Sequence, residues 1–236
     1  MHILVIDGGH VEAEFREKFG AGHEYSFHSC DSDSLAELVA KQKQLVILAA
    51  AAGAAFCYSH LPGTRPYYKF KCPIFIDCAA RSLSEMLSAH EPDCGPPDGT
   101  LFGFCGLPTL LNRSLLEVSL YHEADREKLA DTCAALGTDY RVVEDRVGLV
   151  TPRVVCMIIN EACYTVQEGA ATMQDVDLAM RLGTNYPRGP FAWANAIGVA
   201  RVYAVLEALW DDTHDERYKI CPLLKRQALR GEPFAV

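Results

Sequence analysis

The hydrophobic pattern of this chain changes character once, near residue 147, and that change sets what it can fold into. Before it, short apolar runs of strand length alternate with segments of helical period. Residues 3–7, 25–28, 45–49 and 73–77 read as strands. Residues 11–19, 34–43 and 82–89 read as helices between them, with Asp31 or Asp33 as the N-cap of the second. Further strands are expected over 101–105, 115–120 and 140–144, and a helix over 123–136. Such alternation predicts a mostly parallel sheet with helices on its faces. Residues 91–99, Glu-Pro-Asp-Cys-Gly-Pro-Pro-Asp-Gly, are a loop by composition.

From Gly148 the pattern is helical. Residues 150–168 form a long apolar helix, residues 173–182 follow with Thr172 as cap, 191–210 are helical with a break near Gly198, and 222–230 close the chain. Two domains are therefore expected, residues 1–147 and residues 148–236. A chain of 236 residues is long enough to give each its own core.

Half of the residues are hydrophobic and 22% are charged, the balance of a soluble globular protein. The net charge of −9 opposes phosphate backbones and anionic lipid surfaces, so neither a nucleic acid nor a membrane is an expected partner. No run approaches the roughly 20 apolar residues that span a bilayer. The opening segment reads as a first strand rather than a leader, and a cytoplasmic location is expected. The ten cysteines include no Cys-x-x-Cys pair, which argues against a metal site. Cys156 and Cys163 lie within apolar runs, where a thiol behaves as a small hydrophobe.

The helical half carries an ordered series of motifs. Asn160-Glu161-Ala162 is followed by Glu168-Gly169, Asp175-Val176-Asp177 and Met180, then by Leu182-Gly183-Thr184-Asn185-Tyr186-Pro187-Arg188-Gly189-Pro190-Phe191. Asp215-Glu216-Arg217-Tyr218 and Pro222-Leu223-Leu224 come later. Over roughly residues 148 to 230 this series closely resembles the C-terminal domain of 3-hydroxyacyl-CoA dehydrogenases. The resemblance implies a fold with an α/β Rossmann-like N-terminal domain and an all-α C-terminal domain of the 3-hydroxyacyl-CoA dehydrogenase type. It also implies a homodimer through the helical domain and CoA or an acyl-CoA as a candidate ligand.

The first half departs from the family at the positions that bind NAD and move the proton. A dinucleotide fold uses three glycines after its first strand, for the tight turn, the approach of the pyrophosphate and helix–strand packing. Aligned on Val5-Ile6, the family's three fall on Asp7, Gly9 and Glu12, so Gly8 and Gly9 are what remains of a cofactor-binding loop and two carboxylates are expected against the diphosphate. The acid that holds the adenosine ribose falls on Ser29, with Asp31 close by. The link between the second and third parallel strands, residues 31–44, reads as shorter than the family's helical excursion.

The family's general-base histidine stands twelve residues before its glutamate partner. Glu117 occupies the glutamate position, and counting back twelve reaches Cys105. A thiol, with an ordinary pKa of about 8.5, does not shuttle this proton at neutral pH as an imidazole does. Activating Cys105 as a nucleophile would need an imidazole or cation beside it, and His60, His90 and His122 are the candidates. The family's asparagine at the start of the helical domain falls on Pro152, before Arg153. Its serine loop reads Ala79-Ala80-Arg81-Ser82, which leaves Ser82 as the remaining hydroxyl. Cofactor loop, ribose acid, base, asparagine and serine loop all depart together. A relative without hydride transfer is expected, with no cofactor, serving as a CoA or acyl-CoA binder or as a partner subunit or regulator; NAD belongs to the alternative, an active oxidoreductase with unusual residues in the old roles.

Overall fold

The structure, a computed structural model, describes residues 1–31, 34–58, 69–88 and 98–236. It divides into two compact units, Met1–Gly106 with Leu111–Leu149, and Leu107–Leu110 with Val150–Val236.

The first unit is built on strands β1 (His2–Ile6), β2 (Glu24–His28), β3 (Ala54–Cys57), β4 (Ile74–Asp77), β5 (Leu101–Phe104), β6 (Leu115–Leu120) and β7 (Asp139–Val143). They form one sheet in the order β2-β1-β3-β4-β5-β6-β7. The first five run parallel; β6 is antiparallel to β5, and β7 is parallel to β6. Helices α1 (Glu12–Phe19), α2 (Leu35–Ala51), α3 (Leu83–Ser88) and α4 (Arg126–Leu136) link successive strands. The strand order turns back at β1, with β2 on one side and β3 on the other.

Every residue of β3 is buried, and so are Ile3 to Ile6 of β1, the continuous apolar pattern of parallel strands covered on both faces. Phe15, Phe56, Phe75, Phe102 and Phe104 fill the core, with Phe56 and Phe75 stacked at 4.7 Å. The α/β expectation stands, with one correction. Residues 45–49 are not a strand but the last turns of α2. Leu38, Gln42, Leu45 and Ala49 make its inward face at helical spacing, while Ile47 is 72% exposed. The adjoining strand is Ala54–Cys57, so the connection from β2 is longer than the sequence suggested. Its cap is Ser34, whose hydroxyl accepts from Glu37 N at 3.3 Å; Asp33 lies outside the described residues.

The second unit is all helical: α5 (Thr151–Gln167), α6 (Met173–Gly183), α7 (Pro190–Ile197), α8 (Val199–Thr213) and α9 (Pro222–Arg230). Thr172 caps α6 through Asp175 N at 3.1 Å, and Gly198, at φ +100°, separates α7 from α8. The motif residues of the sequence are its fasteners. Asp177, 8% exposed, accepts from Phe191 N at 2.7 Å and Ala192 N at 2.9 Å, closing the free amides of the first turn of α7 where Pro190 has none to offer. A Cβ on Gly189 would stand 2.2 Å from the Asp177 carboxyl carbon, so only glycine fits there. Asn160, 2% exposed, donates to Lys219 O at 2.9 Å and accepts from Cys221 N at 2.8 Å, tying α5 to the approach to α9. Arg153 donates to the Tyr218 hydroxyl at 2.6 Å and lies over the same ring.

Among the described residues every cysteine is free and buried, and no group of side chains is arranged to hold a metal. No described helix is long and apolar enough to cross a membrane.

Candidate functional site

In a sheet of this kind ligands gather beyond the C-terminal strand ends, where the order turns back. That crest is formed here by the turn after β1 and the residues that follow β3, β4 and β5. Asp7 opens the turn at φ +56°, the left-handed backbone that a glycine would supply without strain. Asp7 N donates to His28 O at 2.8 Å, and Asp7 Oδ1 accepts from Cys30 N at 2.6 Å. The carboxylate oxygen is thus turned to the chain leaving β2. Glu12 lies on α1 and pairs with Arg16 at 2.7 Å, both about half exposed. Each of the two carboxylates at this turn thus has a partner, Cys30 N for Asp7 and Arg16 for Glu12. Gly9 is exposed with open space around it, and Gly8 is buried. At the end of β2, Ser29 Oγ accepts from Asp31 N at 3.1 Å, and Asp31 is exposed.

Cys105 directly follows β5, and Glu117 lies on the neighbouring strand β6. The β5–β6 ladder pairs Phe102 with Leu120, Gly103 with Ser119 and Phe104 with Val118. The last pair of that ladder stands one residue before Cys105 and one after Glu117. Cys105 is 4% exposed and Glu117 is half-buried. His122 follows the opposite end of β6 and packs on Tyr121, away from this pair; His60 and His90 lie outside the described residues.

Ser82 caps a helix. Its hydroxyl accepts from Glu85 N at 3.1 Å and its carbonyl from Met86 N at 3.1 Å, so Ser82 and Glu85 stand at the positions of a capping box. Two acids unforeseen in the sequence help to organise this region. Asp145 accepts from Leu83 N and Ser84 N, both at 2.8 Å, from the Ser84 hydroxyl at 2.7 Å and from the Ser119 hydroxyl at 3.3 Å. Asp77, at the end of β4, accepts from Ala79 N at 3.2 Å and Gly106 N at 2.9 Å. Burial, with Asp77 and Asp145 adding to it, pushes the Cys78 thiol well above its ordinary range and leaves it protonated. A strand ending Ile-Phe-Ile-Asp gave a readable hint of Asp77. Asp145 gave none, because its partners stand far away in the chain.

Tyr58, the residue after β3, completes the crest. Its amide donates to Ile6 O at 3.0 Å, and its ring meets those of His10, Phe104 and Phe15 edge-on at 5.2, 5.5 and 6.2 Å. The residues present do not fit a dinucleotide. Gly9 alone offers a phosphate an open approach, the other two loop glycines are replaced, and an aromatic ring stands beside Gly8.

Residues 148–233 match the model of the 3-hydroxyacyl-CoA dehydrogenase C-terminal domain. Over 87 residues the chain is 47% identical to a 3-hydroxyadipyl-CoA dehydrogenase of Escherichia coli, a stretch covering 37% of this chain and 18% of that protein. Over 89 residues it is 40% identical to a probable 3-hydroxybutyryl-CoA dehydrogenase of Bacillus subtilis, covering 38% and 31%. These matches therefore span under a third of the relatives' own length. In fold the likeness runs further: a crystal structure of (S)-3-hydroxybutyryl-CoA dehydrogenase from Ralstonia eutropha superposes over 98% of this chain and 94% of its own, with a TM-score of 0.65 at 18% identity. The helical part of the chain, residues 148–233, is thus similar to the C-terminal domain of the 3-hydroxyacyl-CoA dehydrogenase family.

Proposed function

We propose that this chain is a family member that does not transfer hydride, and that its helical unit assembles as a homodimer with CoA or an acyl-CoA as candidate ligand. One observation carries the first part: the residue just past the end of β5 and twelve before Glu117, the position of the family's histidine, is Cys105, a buried thiol, where the chemistry needs an imidazole. Taking a proton from a 3-hydroxyl at neutral pH calls for a base with a pKa close to 7. A neighbouring carboxylate raises a thiol's pKa rather than lowering it. For the homodimer, support comes from α6, where Leu178 and Leu182, one turn apart, are 51% and 76% exposed.

The rival reading, an active NAD-dependent oxidoreductase of the family type, draws on the relatives' names and on the retained Glu117. Thermal melting with NADH separates the two. Saturating NADH should leave the melting temperature unchanged, whereas a bound ligand at 100 times its Kd adds about 2.7 kcal/mol. Oxidation of NADH by the protein in the presence of acetoacetyl-CoA would establish the rival. A melting shift with CoA or acetoacetyl-CoA alone would support the ligand assignment, and a sedimentation mass of a single 26.0 kDa chain would remove the dimer.

A further inference from the structure

We infer that Tyr58 is the specificity-determining residue of the crest: its ring occupies the dinucleotide crevice, so restoring the loop glycines alone would not readmit the cofactor. This rests on the reading that the chain does without NAD, and it identifies what excludes it.

The switch point of the sheet lies between β1 and β3, because β2 and β3 flank β1 on opposite sides. A dinucleotide in this fold crosses the sheet end at that point, its pyrophosphate over the first turn. Tyr58 is the first residue beyond β3, and its amide bond to Ile6 O pins it to the end of β1. The ring is wedged between two glycines. A Cβ on Gly8 would stand 2.8 Å from Tyr58 Cε2 and 2.9 Å from Cδ2. On the opposite ring edge, a Cβ on Gly106 would stand 2.4 Å from Cε1 and 2.9 Å from Cζ. The ring thus spans the crest from the turn after β1 to the chain leaving β5. The edge-on contacts with His10, Phe104 and Phe15 hold it by the arrangement aromatic pairs favour.

Gly8 and Gly106 are accounted for together on this view. The ring crowds both, Gly106 by itself and Gly8 together with Val5, whose Cγ1 would stand 2.5 Å from a Cβ there, so the retained Gly8 has a packing reason that needs no phosphate contact. Asp7 and Glu12 bond to Cys30 N and Arg16 but remain carboxylates, so the test removes both before asking what the ring does.

The test compares NADH binding, by fluorescence enhancement and melting shift, in three proteins: the natural chain, the loop variant Asp7→Gly/Glu12→Gly, and the same variant with Tyr58→Ala. The expected result is no binding in the first two and saturable binding in the third. Binding by the loop variant with Tyr58 present, or a folded triple variant that stays silent, overturns the role of Tyr58 while the absence of hydride transfer stands. Binding by the natural chain overturns both. Should the triple variant not fold, the melting temperatures of Gly106→Ala with and without Tyr58→Ala decide. The glycine substitution should lower the temperature clearly in the natural background and much less without the ring. Equal losses would show that the ring is not wedged there, and would overturn the proposal.

Discussion

The two units differ in which family residues they keep. In the helical unit Asn160, Asp177 and Gly189 are present, and each serves the fold mechanically. Two buried polar side chains close backbone groups of distant segments, and a glycine leaves room for one of them. In the sheet unit the residues at the positions that the resemblance assigns to cofactor and proton transfer also serve the fold. Asp7 holds the chain after β2, Ser82 caps α3, and Cys105 is packed beside a strand end. Residues that close the fold endure without chemistry, because losing them exposes buried donors.

The sharpest way to break this contrast is Asp177→Ala. It orphans the amides of Phe191 and Ala192, and about 4 kcal/mol of stability should go; a urea midpoint within the error of the natural chain would mean that the motif is not a fastener. Next in size is an alkaline limb common to both units. Burial pushes the Cys156 thiol of the helical unit up to about 12, and burial against a smaller pull from Lys18 takes Cys133 of the sheet unit up to about 12. An unfolded thiol ionises near pH 8.5, roughly, while these stay protonated when folded. Their contribution is therefore whole below about pH 8.5 and falls as pH rises, on the order of 3 kcal/mol per thiol by about pH 11. Urea midpoints across that range should decline, and Cys156→Ala or Cys133→Ala should flatten the decline; a natural chain with no decline would refute the linkage. Asn160→Ala should cost about 2 kcal/mol by the same assay, since Cys221 N loses its buried acceptor. The smallest effect belongs to the sheet unit: Asp7→Gly removes one hydrogen bond and relieves a left-handed backbone, two changes of opposite sign that leave the midpoint within about 1 kcal/mol. A loss as large as that of Asp177→Ala would erase the distinction between the units.

Much of this was legible in the sequence where periodicity or fixed spacing carried it. β1, β4, β5, β6 and β7, the helices from α5 to α9, the Thr172 cap and the break at Gly198 follow from period and punctuation. Residues 45–49 misled because a short apolar run suits a buried strand and a helix alike; only the exposure of Ile47 beside buried Leu45 and Ala49 distinguishes them. That misplacement hid Tyr58, whose position depends on where β3 ends. The reach of Asp145 to Ser84 and the turning of Asp7 toward Cys30 depend on side-chain aim, which no spacing encodes.

The backbone of the turn after β1 has an implication for how such a protein could change. Asp7 already adopts the dihedral angle that suits a glycine. The genetic code separates aspartate from glycine by a single base, so a point mutation could place glycine there without reshaping the bend. The bend itself is thus ready for glycine, and a change at that corner asks nothing of the backbone around it.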